Sequence, residues 1–279
     1  MENCKLEILT ATLGEEGLQR LAAIIAPPTE GVRYLVSCQC PGYSSLPVPP
    51  ALQRDDVRII FTSTKGVAIN RNNALTHATA PLCLLSDDDV HFTPDAFQSI
   101  ISVFKHNPDV DVATFKFLGP GGSFEKPYPN HTFSLNKPEK GYYVSAIEVA
   151  FRLKSVKNTG IWFNENFGVG TERFASGEEE LWVHDLLHTG LKGQFFPHLI
   201  ATHKHCNSTG IRLMASPPVL RAQGAIIKRF YPRTALLRVI LKGWRSSKAT
   251  QVSILSCLIP LLSGWWQATT RPRKLFGSK

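Results

Sequence analysis

Three consecutive aspartates, Asp87, Asp88 and Asp89, follow the largely apolar run Pro81, Leu82, Cys83, Leu84, Leu85, Ser86. A short apolar run bounded by polar residues reads as a buried strand. Ligands of parallel α/β sheets bind beyond the carboxyl ends of such strands. Three carboxylates gathered there need a counter-charge. A hard divalent cation such as Mg²⁺ or Mn²⁺ suits carboxylates and bridges them to phosphates. The same triplet would also serve as a solvated turn capping the next helix.

A second acidic cluster, Glu178, Glu179 and Glu180, follows Ser176 and Gly177, which open a helix that Gly190 ends. With Trp182, Val183, Leu186 and Leu187 as the apolar stripe, ~100° per residue puts Glu179 on the buried face and Glu178 and Glu180 to either side. The helix N-terminus favours the ionised carboxylate, so Glu179 could accept a proton. An acidic first turn without chemistry has the same composition.

The elements that must position these residues alternate. Leu6–Thr12 reads as a strand, and Glu15–Ile25 as a helix with Leu18, Leu21, Ala22 and Ile25 on one face, stopped by Pro27 and Pro28. Val32–Gln39 is a second strand, Pro41–Pro50 a loop and Val57–Phe61 a third strand. Gly66–Ala78 looks helical, and the Pro81–Ser86 strand follows. This order predicts an α/β fold with a mostly parallel sheet flanked by helices. Beyond it, Pro94–His106 has the spacing of an amphipathic helix capped by Thr93, and Val110–Leu118 that of a strand. Gly119–Lys140 carries no pattern and reads as part of an acceptor lid.

A chain of 279 residues with 43% hydrophobic content holds one large or two small domains. Its six cysteines, Cys4, Cys38, Cys40, Cys83, Cys206 and Cys257, form no CxxC pair, and no signal peptide is visible. Both features point to reduced thiols in the cytoplasm. The net charge of +9 is uneven. Residues 211–279 hold 13 Lys and Arg and no Asp or Glu, while residues 1–210 hold 18 Lys and Arg against 22 Asp and Glu. The boundary divides a mildly acidic domain, 1–210, from a basic C-terminal extension, 211–279.

Thr234–Arg245 carries Leu237, Ile240, Leu241 and Trp244 on one helical stripe and Arg238, Lys242 and Arg245 on the next. Val252–Trp266 is largely apolar but shorter than the ~20 residues of a spanning helix, and Pro260 lies inside it. Trp265, Trp266, Arg271, Arg273 and Lys274 match an interfacial boundary. The extension is expected on an anionic membrane surface, as a peripheral segment on the cytoplasmic side. A helical extension covering the domain's own core would share this composition. No nucleic-acid-reading motif is present, so no nucleic acid partner is expected.

Three stretches carry a resemblance. They are Lys65-Gly66-Val67-Ala68-Ile69-Asn70-Arg71-Asn72-Asn73-Ala74, Ser86-Asp87-Asp88-Asp89 and Gly177-Glu178-Glu179. In this order and spacing they resemble the Ala-Arg-Asn helix end, the DxD motif and the Gly-Glu-Asp motif of inverting family 2 glycosyltransferases, which have the GT-A nucleotide-diphospho-sugar transferase fold. The resemblance spans roughly residues 5–205 and implies roles. Asp89 would bind the divalent cation, Mn²⁺ or Mg²⁺, on the donor diphosphate, with Asp87 on the ribose or sharing the metal, and Asp88 within the same donor site. His203 would be a further metal ligand, with His205 nearby. Glu179 would be the general base, with Glu178 beside it as the other catalytic carboxylate. Thr10, Thr12 and Gln39 would meet base and ribose, Arg71 the nucleotide, Lys65 a phosphate, and Gly66 would let the backbone approach closely. Two departures stand out. Ser37-Cys38-Gln39-Cys40 replaces the family's frequent uracil-holding Asp, and Glu179 is one methylene longer than the family's Asp.

The chemistry is consistent with these residue types. A metal on the diphosphate makes it a better leaving group, and a positioned carboxylate deprotonates the attacking hydroxyl. Direct displacement inverts the anomeric carbon, so Asp89 and Glu179 should face one pocket from opposite sides. The expected function is metal-dependent transfer from a nucleotide-diphospho-sugar, a UDP-sugar by resemblance, to a glycan or lipid-linked acceptor. A nucleotidyltransferase would want a Gly-rich basic loop after the first strand, where Thr10–Glu16 is instead acidic. A non-catalytic, membrane-tethered nucleotide-sugar-binding module is the other alternative.

Overall fold

The computed structural model describes residues 4–203 and 216–268. His205, Arg271, Arg273 and Lys274 lie outside them. The chain forms two compact units. The first comprises Met1–Lys65, Ile69–Gly160 and Asp185–Cys206, and the second Gly66–Ala68, Ile161–His184 and Asn207–Lys279.

The first unit holds the sheet. Its strands are β1 (Leu6–Leu13), β2 (Val32–Gln39), β3 (Val57–Thr62), β4 (Leu82–Asp87), β5 (Val90–Phe92), β6 (Val112–Leu118), β7 (Phe133–Ser134), β8 (Val149–Arg152) and β9 (Gly193–His203). The order is β3-β2-β1-β4-β8-β6-β9-β5, with β7 also on β9. β3, β2, β1 and β4 are parallel to one another. β8 enters antiparallel between β4 and β6, while β6 and β9 run parallel. The parallel expectation thus describes the half of the sheet where strands alternate with helices, and the other half is mixed. The helices are α1 (Gly14–Ala22), α2 (Val67–His77), α3 (Ala96–His106) and α4 (Leu153–Thr159). α1 packs on β1 and β2, α3 on β9 and α4 on β8. β1 is buried along all but its last residue, as a central strand covered on both faces must be.

Two local expectations are corrected. Thr93 does not cap α3; Asp95 precedes that helix, without a side-chain cap. Thr93 instead prolongs the β5–β9 pairing, its N–H donating to Ile200 O at 2.9 Å and its hydroxyl to Leu199 O at 3.4 Å. Gly119–Lys140 is also more than a patternless loop. Lys126 is buried there and donates to Glu148 Oε1 at 2.8 Å. The same carboxylate accepts from Tyr128 at 2.7 Å, Tyr142 at 2.9 Å and the Ser145 N–H at 3.1 Å. Burial, then the Glu148 charge, push both phenols upward in pKa. The rings of Tyr128, Tyr142, Tyr143 and Phe117 surround the ammonium.

The second unit is helical. α5 (Glu178–His188) begins in it, and α6 (Pro217–Phe230), α7 (Ala235–Thr250) and α8 (Ile254–Gln267) follow. α6 and α8 meet backbone to backbone. A Cβ on Gly224 would stand 1.9 Å from Leu261 O, and one on Gly264 would stand 1.8 Å from Arg221 O. Only glycine permits that approach. α7 turns Ala235, Val239, Gly243 and Ser246 inward, a stripe small enough for close helix packing. Among the described residues, no helix is long and apolar enough to cross a membrane.

Candidate active site

Parallel pairing sets the carboxyl ends of β1, β2 and β4 side by side. Thr10 lies opposite Ser86, Ala11 opposite Asp87, Thr12 opposite Cys38 and Leu13 opposite Gln39. The predicted residues Thr10, Thr12, Gln39 and Asp87 therefore share one sheet edge. Gln39 donates from Nε2 to Thr64 Oγ1 at 3.1 Å, while the Thr10 hydroxyl is buried with no hydrogen-bond partner.

The three aspartates take three different environments. Asp87 ends β4, with 36% of its side chain exposed, and Oδ1 accepts from Nη2 of the buried Arg71 at 3.0 Å. Asp88 turns back into the protein. Its two oxygens accept from Nε and Nη2 of Arg20, both at 3.0 Å, and Oδ2 also accepts from Thr12 at 2.5 Å. Burial raises the Asp88 pKa, against the bonds from Arg20 and Thr12. Asp89 opens the turn into β5, and β5 runs antiparallel to β9, with Val90 opposite His203. This pairing places Nε2 of His203 3.0 Å from Oδ1 of Asp89, across 114 residues of chain. His203 is buried, and its Nδ1 has no hydrogen-bond partner. Burial lowers the His203 pKa, but the bond to Asp89 and the charges of Asp89, Asp87 and Glu125 outweigh it, and the net shift is upward.

That field is negative, as a cation site requires. Among the described residues, no group of three or more His, Cys, Asp or Glu side chains forms a ready metal cage. Mg²⁺ and its like are commonly held by one or two carboxylates plus substrate phosphates, not by an all-protein cage. Asp89, with His203 bonded to it, and the partly exposed Asp87 supply carboxylates of that kind.

Lys65 is exposed, and Gly66 is buried with φ of 110°, a conformation open mainly to glycine. On α5 the expected stripe is buried at Trp182, Val183 and Leu186, and the buried face extends beyond it. The buried positions include Glu178, Leu181, Trp182, Asp185 and Leu186, and Leu187 is only half-buried. Glu178 is thus the buried glutamate, its carboxylate close beside Gly168, while Glu179 is half-buried. Glu178, Leu181, Trp182 and Asp185 follow i, i+3, i+4, i+7 spacing, so the buried face includes Glu178. Asp89 belongs to the first unit and Glu179 to the second.

Several polar residues of this edge escaped the sequence reading. Arg20 clamps Asp88, Asn70 donates to Thr12 O at 3.0 Å, and Asn73 donates to Ser37 Oγ at 2.8 Å. Gly17 leaves the room this clamp needs. It lies three residues before Arg20, on the same side of α1, and a Cβ there would meet Thr12 Oγ1 at 2.0 Å and Asp88 Oδ2 at 2.6 Å.

A parallel four-strand half-sheet carrying acidic groups beyond β4 is the arrangement of the GT-A glycosyltransferase fold. Residues 47–165 match the model of glycosyl transferase family 2. The match holds Lys65–Ala74 and Asp87–Asp89. Solved structures with the same fold include residues 1–349 of S. aureus TarS, with a TM-score of 0.57 at 16% identity over 96% of this chain and 93% of that one. The same TarS segment in complex with UDP-GlcNAc gives 0.56 at 15% identity, again over 96% and 93%. A longer TarS chain gives 0.58 at 15% identity over 93% of this chain and 55% of that one. At such identities the likeness is one of fold. No curated protein matches the sequence.

Proposed function

We propose that this glycosyltransferase is inverting and metal-dependent, and that it moves a sugar from a nucleotide-diphospho-sugar to a hydroxyl of a glycan or lipid-linked acceptor. The supporting observation is the meeting of Asp89 with His203, two residues distant in sequence, beside the half-exposed Asp87. A UDP-sugar is the donor on this reading, because structures of S. aureus TarS with UDP and with UDP-GlcNAc share the fold.

Asp89 and His203, with Asp87, would hold Mn²⁺ or Mg²⁺. When bound, the ion supplies charge neutralisation for the departing diphosphate. Thr10, Thr12 and Gln39 face base and ribose, Arg71 lies along the nucleotide, and Lys65 and the Gly66 backbone meet phosphate. Asp88 acts at one remove, fixing the turn through Arg20 and Thr12. Glu179 takes the proton from the acceptor hydroxyl as that oxygen attacks the anomeric carbon, with Glu178 beside it as the other catalytic carboxylate. The new bond forms opposite the breaking one, so configuration inverts.

On this reading the protein works on the cytoplasmic face of a membrane as a peripheral protein. The 13 cations and absent acids of residues 211–279 favour anionic lipid.

A thermal-shift screen of nucleotide-sugars with and without Mn²⁺ tests the donor and the metal together. A UDP-sugar should stabilise the protein only with metal; equal stabilisation without it removes the metal. Glu179→Gln should lower transfer about 10²–10⁴-fold while donor binding persists. Unchanged transfer removes Glu179 from the mechanism.

A further inference from the structure

Helical spacing gives α7 and α8 two opposed faces each. The inward faces are already filled: α7 packs through Ala235, Val239, Gly243 and Ser246, and α8 through Cys257, Pro260, Leu261 and Gly264. The outward faces are apolar as well. Leu237, Leu241 and Trp244 on α7 are exposed, and so are Leu255, Ile259 and Trp266 on α8, where exposure reaches 65% at Leu255 and Ile259 and 78% at Trp266. Twelve of the eighteen exposed large hydrophobic side chains among the described residues lie in 231–266, so this segment exposes apolar side chains far more densely than the rest. Exposed Arg238, Arg245 and Lys248 accompany the α7 stripe. Arg238 lies over the Tyr231 ring at 3.8 Å and Lys248 over Trp244 at 4.1 Å, so cations and aromatic rings sit at one level.

We propose that α7 and α8 lie in the plane of an anionic bilayer, with these outward stripes entering the acyl boundary and the flanking Arg and Lys at the headgroup phosphates. Each helix is too short to span: the 14 residues of α8 rise about 21 Å at 1.5 Å per residue, against a hydrocarbon core of about 30 Å. Apolar residues on one side, cations beside them and aromatics at the boundary are what an interfacial helix needs. A second copy of the chain suits the face less well. Self-pairing would set the α7 cations against their own kind, with no acidic residue in 211–279 to neutralise them. The inference rests on the peripheral-membrane reading and is independent of sugar transfer.

The test is co-sedimentation of the full chain with vesicles of phosphatidylcholine and phosphatidylglycerol in equal parts, and with phosphatidylcholine alone. Wild type should bind the anionic vesicles and largely spare the neutral ones. The double variant Leu241→Glu with Ile259→Glu should bind about tenfold more weakly or worse, at unchanged melting temperature. Binding equal to wild type overturns the stripe assignment and leaves charge-driven attachment standing. Wild type that ignores anionic vesicles sinks both. Should the variant misfold, brominated lipids applied to wild type decide. They should quench tryptophan emission, and Trp244→Phe with Trp266→Phe should remove most of that quenching. Absence of quenching overturns insertion. A concentration-dependent dimer in sedimentation velocity, abolished by the double variant, would put a second copy on this face and overturn the lipid assignment.

Discussion

Two charged clusters in the first unit look alike in composition and differ in kind. At the end of β4, Asp87 and Asp89 keep 36% and 18% of their side chains exposed. Around Glu148, the carboxylate is fully buried and the Lys126 side chain is 1% exposed. Glu148 has both oxygens committed, to an ammonium, two phenols and a backbone N–H. Asp87 and Asp89 have partners too, but part of each side chain stays open to solvent. A closed ring of partners cements a fold, whereas carboxylates held in place with part of their surface open can take a ligand. Asp88 shows the boundary between the two cases. It belongs to the acidic triplet, yet Arg20 and Thr12 have drawn it into the architecture.

That contrast can be broken by substitution. The largest effect is expected at Glu148→Ala, which strands a buried ammonium and should cost about 3–5 kcal/mol, read from denaturant melts. Loss of under about 1 kcal/mol would mean that the ring of partners does not hold this region together. Asp89→Asn should do the reverse. Stability should stay within about 1 kcal/mol of wild type, while transfer should fall about 10²–10³-fold. If it unfolds like the Glu148 variant, the acidic corner is architecture as well. The smallest effect belongs to Arg20→Ala. Arg20 is 43% exposed, so solvent screening holds its stability contribution to about 1 kcal/mol. Transfer should drop about tenfold through the loosened turn. Arg20→Lys should not restore it, because an ammonium cannot span both oxygens of Asp88.

Legibility in the sequence followed the range of the forces. Val32–Gln39 and the run into Asp87 were readable because a buried parallel strand is a contiguous apolar stretch. The acidic triplet was readable as local chemistry, but its division into three environments was not. Arg20 reaches Asp88 across 68 residues, and nothing in either neighbourhood announces the pair. His203 was placed beside Asp89 through family resemblance, since the β5–β9 pairing that brings them together rests on a three-residue strand too short to show a period. The ring around Glu148 was invisible for a related reason. Its polar and aromatic members come from Thr114, Lys126, Tyr128 and Tyr142, with no periodicity to link them. On α5 hydrophobicity named Trp182, Val183 and Leu186 correctly, and the inward turn of an aspartate, Asp185, carries the buried face to Glu178 instead of Glu179.

The seam between Gly224 and Gly264 has a mechanical consequence. Side chains between helices act as compressible pads, absorbing a push by changing rotamer. Here main-chain atoms touch directly, with no pad between them. A load applied to the outer side of α8 is therefore carried into α6 undamped, and the two helices respond as a single lever.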